Sequence, residues 1–193
     1  LILMELEGRE ENLAYSAGHF HGEPLGMAMD FLKIGLIELG NVADRRIFRL
    51  LSGHLSKGLP HLLRVSPEET SFGLMACQMT SASLLSESKS LGMPATIDSI
   101  PTCEDVEDLV SMSTTAARKA WQVLGNVERI NAIEILCAAR ALALRRQELG
   151  GDLHLGKGSA RTLKMIEDRV GDILRPAEPT WLMEAVMEVV EEL

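Results

Sequence analysis

Ala116-Ala117-Arg118-Lys119-Ala120-Trp121-Gln122-Val123-Leu124-Gly125-Asn126-Val127-Glu128-Arg129-Ile130-Asn131-Ala132-Ile133-Glu134-Ile135-Leu136-Cys137-Ala138-Ala139-Arg140 is the stretch that decides the fold. It is the middle of a segment, from about Asp105 to Leu149, with no proline and a single glycine, Gly125. Val110, Ala116, Ala117, Ala120, Trp121, Leu124, Val127, Ile130, Ile133, Leu136, Ala139 and Leu142 hold an apolar seam at helical spacing. A continuous helix there spans roughly 60 Å at ~1.5 Å per residue, far beyond the mean helix of about 11–12 residues. One small domain cannot cover so long a rod. The expectation is an all-α, elongated helical bundle with one very long central helix, assembling into a multi-subunit helical core.

Three regions flank and include that helix: 1–23, an irregular lead-in with a loop; 24–149, the long-helix core; and 150–193, a C-terminal helical segment. Pro24 suits a helix's first turn. After it Met27, Phe31, Ile34, Leu36, Ile37, Val42, Ile47, Leu50 and Leu51 recur at helical spacing until Gly58-Leu59-Pro60. Arg45 and Arg46 interrupt with charge and are read as partners for carboxylates on neighbouring helices. Ser71 is a candidate cap for a helix carrying Leu74, Met75, Gln78, Ala82 and Leu85. Gly92-Met93-Pro94 ends it, and Gly150-Gly151 ends the long helix. Ser159 and Thr180 are candidate caps for two shorter helices.

Composition bounds the function. Hydrophobic residues make up 46% of the 193 but aromatics only 4%, so good helix formers must fill the interior. A net charge of −9 argues against a phosphate-neutralising nucleic-acid surface. No segment approaches the ~20 apolar residues of a membrane span. Cys77, Cys103 and Cys137 are odd in number and far apart, which reads as reduced thiols and a cytoplasmic setting. His19, His21 and Glu23 alternate in a glycine-flanked loop, but no further ligand is suggested elsewhere and a metal site is not expected. Leu155-Gly156-Lys157-Gly158-Ser159 lacks the glycine spacing of a phosphate loop and reads as a linker.

Cys103-Glu104-Asp105-Val106-Glu107-Asp108-Leu109-Val110-Ser111-Met112 brings four carboxylates into five residues. One reading sets them in the first helical turn, where each gains about 0.3–1 kcal/mol from the helix dipole. The other holds one carboxylate in a cleft to bind or move a proton.

Several stretches taken together resemble the C-terminal half of the histidine/phenylalanine ammonia-lyase family. They are Gly18-His19-Phe20-His21-Gly22-Glu23-Pro24, Gly58-Leu59-Pro60, Gly73-Leu74-Met75 with Gln78-Met79-Thr80, Ser86-Glu87-Ser88-Lys89, and Asp98-Ser99-Ile100-Pro101-Thr102 leading to Glu107-Asp108 and Val110-Ser111-Met112. Their order follows the bacterial histidine branch, from about Ser16 to Arg145. The resemblance implies a helical subunit, a homotetramer with shared active sites, and elimination of ammonia from an L-amino acid, histidine to urocanate first among them. It also implies a 4-methylidene-imidazol-5-one electrophile made from an Ala-Ser-Gly tripeptide. On this footing Phe20 matches the aromatic that lines the substrate pocket. Glu107 matches the acidic position tied to imidazole binding and proton handling. Where the histidine branch reads Asn-Gln-Glu-Asp-His, this chain reads Asp105-Val106-Glu107-Asp108-Leu109, replacing two amides and a histidine.

The sequence contains no Ala-Ser-Gly; Ser16-Ala17-Gly18 is the wrong order. The resemblance sets the family's tyrosine base and carboxylate-binding arginine before Phe20, so the expectation is a chain inactive alone that needs a separate N-terminal lyase portion. The alternative is a non-catalytic helical scaffold or regulatory subunit. The Gly-Ser-Ser-x-Met-Pro loop of the fumarase/aspartase group is missing, Gly92-Met93-Pro94 being only part of it.

Overall fold

Unbroken helix-compatible sequence and a regular inward stripe make residues 113–148 one helix, on which the other elements pack. In a computed structural model that describes residues 2–4, 13–15, 17–65, 72–151, 153–175 and 178–192, the elements are β1 (Ile2–Met4), β2 (Leu13–Tyr15), α1 (Glu23–Leu51), α2 (Met75–Leu91), α3 (Ser113–Glu148), α4 (Lys157–Val170) and α5 (Pro179–Glu191). β1 and β2 pair antiparallel with Ile2 opposite Tyr15, an ordered feature in a lead-in expected to be irregular. The rest of the described chain is helices and loops, as the all-α expectation holds. Among the described residues no helix is long and apolar enough to cross a membrane.

The central helix is 36 residues long, about 54 Å, and it begins later than the sequence suggests. Its first turn contains no acidic residue. Glu104, Asp105, Glu107 and Asp108 all precede it in a loop, so the dipole reading of that cluster is corrected. Helix does not start at Asp105 because Cys103, Glu104 and Asp105 have φ of 54°, 54° and 67°, outside the right-handed helical region. The helix starts after Met112, and one residue earlier Ser111 Oγ accepts from the Ser113 amide at 3.4 Å.

Three contacts fix how α1 lies on α3. His21 meets Leu109, Arg46 meets Glu134 and Lys57 meets Arg145, each pair 88 residues apart. A constant separation means that the two helices run parallel. Arg46 thus pairs with the neighbouring helix as read from the sequence, while Arg45 bonds Asp44 beside it. Between these contacts α1 turns inward Gly26, Asp30, Lys33, Ile37, Gly40, Ala43, Asp44, Ile47 and Leu51. This corrects the expected stripe in part. Phe31 is 79% exposed, and Met27, Ile34 and Val42 also face out. Small and paired polar residues face in because α3 comes close; a Cβ on Gly40 would sit 3.4 Å from Val127 and 3.5 Å from Leu85. On α3 the expected seam holds at Ala116, Ala120, Val127, Ile130, Ile133, Leu136 and Ala139, whereas Trp121 is 75% exposed because Ala120 and Val123 take the inward positions.

α2 crosses back against both. Ser81 Oγ donates to the buried Asp44 at 2.9 Å, and Asn126 Nδ2 donates to Glu87 at 2.8 Å and Ser88 at 3.3 Å. Of Thr80, Ser81, Ala82 and Ser83, only Ser81 is buried, so the packing contact of that stretch rests on it. Ser71 lies outside the described residues. α4 and α5 start after Gly156 and Glu178 rather than from Ser159 and Thr180, so Lys157, Gly158 and Ser159 are helix and not linker. Their Leu163, Ile166, Leu182 and Val186 join Ile47, Ile130, Ile133 and Leu136 in the main core. That core occupies the C-terminal parts of α1 and α3. Towards their N-terminal ends apolar packing thins to Ile37, Val123 and Val127, then to glycines, serines and a buried ion pair.

Candidate active site

The polar end of the α1–α3 pair is built on Asp30. Its Oδ1 accepts from Lys33 Nζ at 2.7 Å, and its Oδ2 accepts from the Ala95 amide at 2.8 Å and from the Thr96 amide and hydroxyl at 3.0 Å each. Lys33 is fully buried and also donates to the Met93 carbonyl at 2.9 Å. Burial pushes the Asp30 carboxyl up, but Lys33 and the Thr96 and Ala95 donors outweigh it and bring it down from 3.8 to about 2. The clip fastens the loop after α2 to α1. Gly26 allows the approach, since a Cβ there would meet the Thr96 methyl at 2.7 Å and the Ser113 Cα at 3.2 Å.

From that anchor the chain passes through Ser99 and Thr102 to the acidic strip. The Thr102 amide donates to the Glu107 carbonyl at 2.9 Å, and the Glu107 amide returns the bond at 3.3 Å. The left-handed turn Cys103–Asp105 lies between them. The Val110 amide donates to Ser99 Oγ at 2.9 Å. Opposite, Gly18–Phe20 form a single 3-10 turn, and Gly22, with φ 79°, redirects the chain into α1. At that φ glycine is the unstrained residue.

These loops enclose an open cleft of about 450 Å³ lined by Phe20, His21, Val106, Glu107, Asp108, Leu109, Val110 and Ser111. The two residues singled out in the sequence, 87 positions apart, thus line one concavity within one chain. Phe20 is 86% exposed, so the cleft has an aromatic rim and no wall beyond it. His21, which sequence reading set aside with the metal question, also lines the cleft, and its Nε2 lies 2.6 Å from the Leu109 carbonyl oxygen. Its adjacency to Phe20 was the available signal. The arrangement offers a carboxylate to a cationic or N–H-bearing ligand, and an aromatic face beside it. Among the described residues no group of three metal-ligating side chains comes together. A larger concavity of about 680 Å³ lies near the far end of α3, around Arg146, His154 and Lys164, and shares no residue with this cleft.

Comparison with known proteins places the chain. The family model described as aromatic amino acid lyase matches residues 2–168. The histidine ammonia-lyase of Natranaerobius thermophilus is 40% identical over 183 residues, covering 95% of this chain and 35% of that protein. The crystal structure of histidine ammonia-lyase from Trypanosoma cruzi superposes with a TM-score of 0.85 at 35% identity, covering 96% of this chain and 35% of that one. The tyrosine aminomutase from Streptomyces globisporus gives 0.85 at 32% identity over 97% of this chain and 34% of that one. The chain spans about a third of the length of the relatives it matches.

Proposed function

This chain belongs to the aromatic amino acid lyase family, and we propose that its cleft is one wall of an ammonia-lyase active site that eliminates ammonia from an L-amino acid, histidine first. The observation that carries the reading is the shared cleft of Phe20 and Glu107. Phe20 packs on the substrate ring. Glu107 accepts a hydrogen bond from an imidazole N–H and holds or releases a proton there, as a carboxylate at hydrogen-bond reach can. The backbone pairing of Glu107 with Thr102 fixes where that carboxylate starts.

The methylidene-imidazolone of such enzymes supplies an electrophile that draws electrons from the substrate and eases loss of both a β-proton and an amine. This sequence has no Ala-Ser-Gly from which to form it. The cleft fits as a wall facing the group: it offers a carboxylate and an aromatic, and its open side leaves room for a facing polypeptide. The N-terminal portion of the lyase is assigned that wall. Assembly follows as a homotetramer, with Phe31, Met27, Ile34 and Val42 on the outward face of α1 covered by neighbouring subunits. The setting is cytoplasmic, in keeping with three free cysteines.

The test combines this chain with a polypeptide carrying the Ala-Ser-Gly portion and follows urocanate absorbance from histidine. Glu107→Gln in the assembled enzyme lowers turnover at least about tenfold. An unchanged rate removes Glu107 from the mechanism. Absence of product from histidine, phenylalanine and tyrosine favours the non-catalytic scaffold.

A further inference from the structure

We propose that His21 is a positioning residue that sets the separation between Phe20 and Glu107, an inference that rests on the lyase reading of the cleft. A carbonyl oxygen only accepts, so the 2.6 Å contact with Leu109 requires the proton on His21 Nε2. Among the described residues this is the one hydrogen bond that joins the turn 18–22 to the strip 106–111.

The two sides of the cleft are otherwise held from different directions. The strip is tied back to Thr102 and Ser99, and through Ala95 and Thr96 to Asp30. The turn is tied to α1 through Gly22, where a Cβ would come within 3.0 Å of Ser113 Oγ. Beyond that pivot, Phe20 is 86% exposed and its ring has little to hold it. His21 sits between pivot and rim, and its ring spans the gap to Leu109, two residues from Glu107. Without the tether the rim swings about Gly22 while the strip stays in place. An aromatic wall and a carboxylate that must grip one substrate then lose their spacing.

Hydrogen exchange by mass spectrometry on this chain tests the tether. In His21→Ala the amides of residues 18–22 and 107–110 exchange faster by up to about tenfold, as expected for one lost hydrogen bond, while α3 is unchanged. His21→Gln restores protection, because its side-chain amide nitrogen reaches about as far as Nε2 and donates. Nitrogen NMR of the wild-type chain shows a protonated Nε2. Unchanged exchange in His21→Ala, or an Nε2 without its proton, overturns the proposal; should His21→Ala unfold the chain, the wild-type nitrogen spectrum decides. In the assembled enzyme His21→Ala lowers kcat/KM about tenfold or more and His21→Gln recovers it, whereas a merely structural role predicts full activity once the variant is folded. Failure of the assembled wild type to deaminate any amino acid would sink the lyase reading, and the exchange and NMR results would still decide the tether.

Discussion

Replacing Asp30 by Asn keeps the shape of the clip and removes its charge, so it isolates what the clip contributes. Four donors converge on the Asp30 carboxylate, one on Oδ1 and three on Oδ2. An amide has one acceptor oxygen. Whichever way it is turned, its NH₂ faces either the Lys33 ammonium or the Ala95 and Thr96 donors. Lys33 is fully buried and keeps only the Met93 carbonyl. Breaking a buried pair by removing one partner costs about 3–5 kcal/mol, a large share of the 5–15 kcal/mol typical of a whole domain. Part of this depends on pH. The fall of the Asp30 carboxyl from 3.8 to about 2 corresponds to about 2 kcal/mol. The folded chain binds that proton more weakly than the unfolded one, so this stabilisation is fully present above about pH 4 and disappears as the pH drops through about 2. Urea denaturation followed by circular dichroism therefore gives a gap of about 3–5 kcal/mol between wild type and Asp30→Asn near neutrality. The gap narrows by about 1 kcal/mol by about pH 3. Lys33→Met costs less, because Asp30 retains its three other donors. A neutral-pH gap below about 1 kcal/mol, or one that widens on acidification, refutes the reasoning.

Two further outcomes follow from packing and burial. Gly26→Ala destabilises by about 1–2 kcal/mol in urea titration, because overpacking against Thr96 and Ser113 outweighs a helix-propensity gain of up to about 1 kcal/mol. Gly125→Ala, whose Cβ meets only the Arg129 guanidinium at 3.5 Å, keeps that gain, and a stabilised Gly26→Ala would contradict the close approach of α1 to the start of α3. Near neutral pH one thiol per native chain, Cys103, reacts with an aromatic disulfide reagent, and all three react in denaturant. Burial pushes the Cys77 thiol up to about 11 and raises Cys137 as well, so three rapid equivalents from the native chain would contradict the buried pair.

The helical class and the central rod were legible because period and composition agree over the long stretch that α3 occupies. Pro24 marked the start of α1 and Gly150-Gly151 the end of α3. The faces of α1 were harder. Hydrophobicity points Phe31 and Met27 inward, yet they face out, and the inward Asp30 and Lys33 look like surface residues until their partners 60 to 66 positions away are known. The acidic cluster misled for a different, local reason. Dipole logic favours carboxylates in a first turn, but the backbone of Cys103–Asp105 makes a left-handed turn closed by the pairing of Thr102 with Glu107, only five residues on. Phe20 and Glu107 were found through resemblance, and their shared cleft follows from the parallel register of α1 and α3, which nothing local encodes.

The left-handed turn has a thermal consequence. Each non-glycine residue in that region carries roughly 1–2 kcal/mol of conformational cost, and Cys103, Glu104 and Asp105 concentrate that cost in the turn that leads into the cleft. On warming, that turn is expected to relax while the bundle beneath it is still intact. Under the lyase reading, heat should therefore stop deamination by the assembled enzyme at a lower temperature than it melts the helices, and brief cooling should restore it.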